Sequence, residues 1–198
     1  MTRHLILLLV CLVSLCACRP DDTRPGEVDI GFLQAMSLHH EQAILLAQIA
    51  RERDLGGAAA AVAKSVEGAQ SIELGQMKGW LQIWRQPLLP GPSLMGWMKP
   101  EGEDAEAIRE FLSMCQAGGG MAGAVTAQQF DTLRNAQPDA AATLFLRLML
   151  RHHQGGLPMA RYAATRAETA VVRQFARQIV IEQSSEIGQL STLIAASP

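Results

Sequence analysis

Phe32-Leu33-Gln34-Ala35-Met36-Ser37-Leu38-His39-His40 and Phe145-Leu146-Arg147-Leu148-Met149-Leu150-Arg151-His152-His153 are one element written twice, 113 positions apart. The register holds downstream without a gap: Ala47 falls on Ala160, Arg53 on Arg166, Gln70-Ser71-x-Glu73 on Gln183-Ser184-x-Glu186, and Gly75-Gln76 on Gly188-Gln189. Such an offset marks an internal duplication. Four of the chain's five histidines lie inside the repeated motif, so their chemistry is expected twice, or once at a pseudo-twofold centre.

In the first copy Phe32, Met36, His39 or His40, Ala43 and Ala47 recur at three- and four-residue steps, which builds one stripe along a helix. Ala, Leu, Gln, Glu and Arg dominate, and β-branched or aromatic alternation is nearly missing after the first twenty residues, so the fold class is all-α. Long helices are predicted over about 28–53, 58–85, 139–166 and 168–196. Between the second and third, Pro87, Pro90, Gly91, Pro92, Gly96 and Pro100 form the longest non-helical connection. A short helix over 103–116 stops at Gly118-Gly119-Gly120, a stretch placed to fold over a bundle end. Thr126 with Gln129 forms a capping box that opens another helix as far as Asn135. Asp139 reads as the cap of the third long helix, and Pro158 inside it as a kink. Two helical hairpins (repeat one about 28–85, repeat two about 138–198) joined by a crossover over about 86–137 make a ferritin-like four-helix bundle, a single domain over 28–198.

Arg3 and His4 precede an apolar run from Leu5 to Ala17 that is too short to span a bilayer and is followed at once by polar sequence, so residues 1–17 read as a signal peptide. Leu15-Cys16-Ala17-Cys18 resembles the lipobox of bacterial lipoproteins, which makes Cys18 the lipidation candidate and 18–27 a tether. The domain is then expected on the periplasmic face of a bacterial membrane, held there by lipid alone; an ordinary cleaved signal would leave it soluble in the periplasm. Cleavage removes Cys11 and Cys16 and leaves Cys18 and Cys115, too few for a disulfide framework. About 180 residues remain, enough for one real core. The exported part carries 16 Lys plus Arg against 19 Asp plus Glu and no basic run, which argues against nucleic acid as a partner.

Bundle sites are built from side chains that project inward from facing helices. Gln70, Glu73 and Met77 share one face of the second helix, as Gln183, Glu186 and Leu190 do in the other copy. A carboxylate facing a buried histidine accepts the imidazole N–H, fixes which nitrogen is free and raises its basicity as a ligand. Glu73 and Glu186 are assigned that supporting role, with Gln70 and Gln183 beside them. Core histidines merely satisfied by hydrogen bonds are the bland alternative, but two adjacent pairs recurring with the same methionine and the same carboxylate favour a metal centre. Imidazole with thioether, in an exported protein without usable thiols, selects Cu(I) or the similar Ag(I). The candidate ligands are Met36, His39, His40, Met149, His152 and His153, joined by Met121 beside the glycine triplet and Met159 near the second pair. Met77 reads as core, Met95 and Met98 as a loop patch around Trp97, and Cys115 as packing.

Three functions follow from different classes. The leading one is a lipoprotein that sequesters Cu(I) or hands it to a copper-handling protein partner, without catalysis. The second is a dinuclear oxidase with iron or manganese held by Glu73, Glu186 and the histidines; it lacks the paired Glu-x-x-His segments such sites use. The third is a metal-free structural or adaptor bundle whose His-Glu pairs fix packing register.

The blocks FLQAMSLHHEQAILLA and FLRLMLRHHQGGLPMA, each followed by a Gln-x-x-Glu helix, resemble the domain-of-unknown-function 305 family of exported bacterial proteins. The resemblance covers nearly all of the mature chain, including the Gly/Met-rich middle and the LRNAQ segment. It implies a ferritin-like four-helix bundle, a periplasmic copper-binding role in copper tolerance, and Met36, His39, His40, Met149, His152 and His153 as the binding positions, with Met121 and Met159 in addition. Ser37-Leu38 and Leu46 depart from the family pattern, which implies weaker binding or a structural role for the first copy.

Overall fold

Among the residues described by the computed structural model, 24–117 and 120–196, the chain forms six helices and no strand. They are α1 (Glu27–Glu52), α2 (Gly57–Ile83), α3 (Ala105–Ala117), α4 (Ala127–Asn135), α5 (Pro138–Arg166) and α6 (Ala170–Ala195). The signal peptide (1–17), Cys18, most of the tether and Gly118-Gly119 lie outside the described residues. None of the described helices is long and apolar enough to cross a membrane.

The helix ends follow local chemistry. Past the C-termini of α1 and α2 the chain enters the left-handed region at Asp54 (φ 49°) and Arg85 (φ 55°). There the N–H groups of Leu55 and Gln86 reach back to Ala50 O and Leu81 O at 3.1 and 2.8 Å, capping carbonyls the helices leave free. The capping box of α4 forms as expected: Gln129 N donates to Thr126 Oγ1 and Thr126 N to Gln129 Oε1. At α5 the expectation fails. Gln137 is the N-cap and Pro138 the first helical residue, so Asp139 lies inside the first turn. Proline is favoured there because its missing N–H would be unpaired anyway. The helix then continues through Pro158 to Arg166.

The long helices α1, α2, α5 and α6 pair as two hairpins, α1 with α2 and α5 with α6, and the hairpins meet chiefly through α1 and α5. These two run antiparallel. At the start of α1, the wholly buried Asp29 accepts the N–H groups of Glu168 and Thr169, just past α5, at 2.9 and 3.1 Å. At its far end Arg53 donates to the carbonyls of Arg134 and Ala136, just before α5. Arg166, the repeat counterpart of Arg53, likewise ties the end of α5 to the crossover, donating to Glu101 O at 3.3 Å and to Asp104. The duplication thus extends to how each hairpin is fastened.

The crossover departs from expectation at its glycine-rich part. Residues 120–125 run along the side of the bundle, not over its end. A Cβ on Gly155 would lie 2.1 Å from Ala122 O, and one on Gly123, itself at φ +73°, would lie 2.5 Å from Arg151 O. Two glycines without side chains let the segment press onto the middle of α5. Val125 N–H then donates to Gln42 Oε1 on α1 at 3.0 Å, so the strap spans both central helices.

Candidate metal centre

All four motif histidines are fully buried, at 0 % exposure. They sit between two apolar clusters. One, toward the start of α1, holds Phe32, Met36, Met77 and Met159; the other, toward its end, holds Leu46, Phe145, Met149 and Leu190. The inward stripe of α1 delivers His39 and that of α5 delivers His152, and their rings stack with centroids 3.6 Å apart and planes inclined by 31°. Stacking at that distance suits neutral rings. Burial, followed by the neighbouring imidazoles, holds His39 and His152 well below the ordinary histidine value of 6.5.

His40 and His153 complete the layer, each tied to the second helix of its own hairpin. His40 Nε2 meets Glu73 Oε2 at 2.6 Å, and His153 Nε2 meets Glu186 Oε2 at 2.6 Å. The two contacts are identical in length and in register. In the neutral tautomer that donates Nε2–H to the carboxylate, Nδ1 of each ring is the free acceptor. The carboxylates lie near the surface, with side-chain exposures of 12 % and 23 %. Glu182 joins them: burial first, then a hydrogen bond with Glu73 and the charges of Glu73 and Glu186, raise its carboxyl above the usual range despite a bond from Gln178. The side of the layer facing α2 and α6 is therefore acidic, a field that draws cations.

The remaining polar atoms of the layer have no protein partner. Both nitrogens of His39 and of His152, and Nδ1 of His40 and of His153, make no hydrogen bond although buried; nor do the amide atoms of Gln70 and Gln183, each only 2 % exposed. Gln70 and Gln183 thus share the layer without orienting any ring, unlike Glu73 and Glu186. Each carboxylate already occupies the Nε2 side of its histidine. Leaving a buried polar group unpaired costs about 1–3 kcal/mol, so a cluster of this size calls for a partner other than protein. Among the described residues no three His, Cys, Asp or Glu side chains converge as a metal cage. Imidazole nitrogens alone do not close a site here, and thioethers would have to complete it.

Sulfur is distributed unequally around the layer. Met36, Met77 and Met159 are wholly buried on one side, and Met121, 6 % exposed at the head of the strap, belongs to the same cluster. Met149 lies in the opposite cluster, where the counterparts of Met159 and Met77 are Leu46 and Leu190. Met36 and Met149 occupy equal positions in the repeat, but on antiparallel helices one turn toward the N-terminus leads to opposite ends of the bundle.

The sequence profile of the family described as "Domain of unknown function (DUF305)" matches residues 29–194. The chain belongs to the DUF305 family. Solved structures similar to it include a DUF305 protein of Streptomyces coelicolor whose description proposes secretion, 30 % identical over 85 % of this chain and 92 % of that one, TM-score 0.71. A DUF305 fragment from Deinococcus radiodurans is 26 % identical over 87 % and 98 % of the two chains, TM-score 0.66. CopM in its Cu(II)-bound form is 26 % identical over 84 % and 95 %, TM-score 0.60. Among curated proteins, none matches.

Within this DUF305 chain a surface cavity of about 840 Å³ lies between the start of α2 and the end of α6, and none of the four motif histidines lines it. Sequence reasoning missed two residues that shape the layer, Gln42 and Glu182, whereas Gly156 was legible as a small residue one turn from the second His pair. Gly156 lets His39 and Gln183 approach: a Cβ there would lie 2.8 Å from His39 Cε1 and 2.9 Å from Gln183 Oε1. Gln42 anchors the strap, and Glu182 adds the third carboxylate. In the sequence Gln42 and Glu182 resemble ordinary surface residues.

Proposed function

We propose that this protein binds a soft metal ion, Cu(I) or Ag(I), in the interior of its bundle, and serves in copper sequestration, tolerance or transfer on the periplasmic face of a membrane, anchored through Cys18. The observation that carries the reading is the group of six imidazole nitrogens buried without a protein partner between two carboxylate-supported histidines. His39, His40, His152 and His153 would present neutral nitrogen donors, and Met36 and Met159, with Met121, would bring thioethers from one side. Met149 would serve the other. That donor set matches a monovalent soft cation better than iron or manganese, which prefer carboxylate and water. Glu73 and Glu186, directed at imidazole nitrogens, act as orienting groups in this reading. The likeness to CopM, solved with Cu(II), supports copper as the cargo and a binding protein over an enzyme.

The test is elemental analysis of protein purified from the periplasm with and without copper in the medium, followed by anaerobic Cu(I) competition against a chromophoric chelator. Copper that is retained by the native chain and lost from a His39→Ala/His152→Ala variant of unchanged helical content supports the proposal. A chain that takes up no copper after reconstitution overturns it.

A further inference from the structure

A second group of soft donors lies outside the imidazole layer, where the crossover meets α3. Met95, Met98 and Cys115 are buried, at 9 %, 3 % and 2 % exposure, and all three line one half-open cavity of about 320 Å³, walled further by Leu94, Leu112 and Gly120. The backbone fixes their relation. Met98 N–H donates to Met95 O at 3.1 Å, closing a turn that keeps the two methionines three residues apart on the same cavity. On the facing side Gly120 N–H donates to Cys115 O at 2.8 Å, which holds the cysteine at the end of α3. Cys115 is a free thiol. Burial pushes it above its ordinary value, and the Ala122 N–H, directed at the sulfur, works the other way by favouring the thiolate.

Packing alone does not account for this arrangement. Buried side chains usually meet close-packed neighbours, whereas these three sulfur-bearing side chains border a cleft with room for an ion. Thiolate and thioether are the donors that favour d10 monovalent cations over harder metals. We propose that Met95, Met98 and Cys115 form a second soft-ion seat, taking Cu(I) or Ag(I) through one thiolate and two thioethers. On binding, the Sγ–H bond of Cys115 breaks, a metal–sulfur bond forms and the proton passes to solvent; no oxidation state changes. The seat is separate from the imidazole centre, since none of the four motif histidines lines the cavity.

The experiment is an anaerobic Ag(I) titration of the reduced, full exported chain, read by the ultraviolet thiolate-to-metal absorption and by the rate at which iodoacetamide alkylates Cys115. In the unmodified protein the band is expected to rise to saturation, and alkylation to slow about tenfold or more. Cys115→Ser abolishes the band. Met95→Leu/Met98→Leu, at unchanged circular dichroism, weakens the protection by Ag(I) about tenfold. His39→Ala/His152→Ala leaves band and protection in place, so failure of the histidine reading and failure of this one are told apart. Absence of band and protection in the unmodified chain overturns the proposal, as does full protection in the double leucine variant, which would mean a thiol acting alone.

Discussion

Replacing Gly156 by alanine tests whether the imidazole layer is built to close tolerance. Two effects oppose one another. Alanine in a helix interior is favoured over glycine by about 1 kcal/mol. The new Cβ, however, would stand 2.8 Å from His39 Cε1 and 2.9 Å from Gln183 Oε1, well inside the roughly 3.5 Å of ordinary carbon contact. The Gln183 amide is the end of a flexible side chain and can swing aside. His39 cannot: its ring is fully buried and stacked at 3.6 Å on His152. Overpacking of this kind costs about 1–3 kcal/mol, so the net effect runs from neutral to about 2 kcal/mol destabilising. Gly188→Ala on α6 is the internal reference, because a Cβ there meets nothing within 4 Å and should stabilise by about 1 kcal/mol. The difference between the two variants isolates the clash, and at about 2–4 °C per kcal/mol it predicts a melting point roughly 2–12 °C lower for Gly156→Ala than for Gly188→Ala. Thermal unfolding by far-ultraviolet circular dichroism measures it, with Cu(I) competition in parallel. If Gly156→Ala stabilises as much as Gly188→Ala and binds Cu(I) equally well, the reasoning about His39 fails.

Three further outcomes are expected. Glu73→Gln or Glu186→Gln removes the carboxylate that steers its histidine and should weaken Cu(I) binding about tenfold to hundredfold; chelator competition with unchanged affinity would count against the orienting role. His39 and His152 resist protonation in the folded state, so as pH falls through the ordinary value of 6.5 the unfolded chain gains protons the folded chain does not. Stability of the metal-free protein should therefore decline on acidification by up to about 1.4 kcal/mol per pH unit for each ring, and be fully present above that range; urea midpoints that stay flat or rise would refute this. Asp29→Ala strips the acceptor from the N–H groups of Gly26, Glu168 and Thr169 and should cost about 3 kcal/mol, near 1 per donor, seen as a melting point lower by about 6–12 °C.

The offset of 113 residues carried much of this architecture in plain sight. Because both copies fold alike, a carboxylate facing a motif histidine could be expected twice from spacing; that the partners are His40 and His153, not His39 and His152, only the packing shows. Thr126 and Gln129 announced their capping box for an equally local reason. Long-range contacts were harder to read. Asp29 looks like an ordinary acid in a first helical turn, yet it bonds residues 139 and 140 positions away. Gly123 reads in the sequence as one more glycine of a connection; only its fit against Gly155 and Arg151 on α5 shows that it serves close approach along the bundle side. The repeat also hid the uneven sulfur, because equal positions in sequence point to opposite ends once α1 and α5 run head to tail.

That head-to-tail arrangement divides the core into two compartments that are unequally supplied with sulfur. Methionine introduced at Leu46 and Leu190 would furnish the sparser compartment with the thioethers its twin already has at Met159 and Met77, beside the existing Met149. Such a chain should take up an additional equivalent of monovalent ion, and a titration showing no extra uptake would mean that the two compartments differ in more than their sulfur.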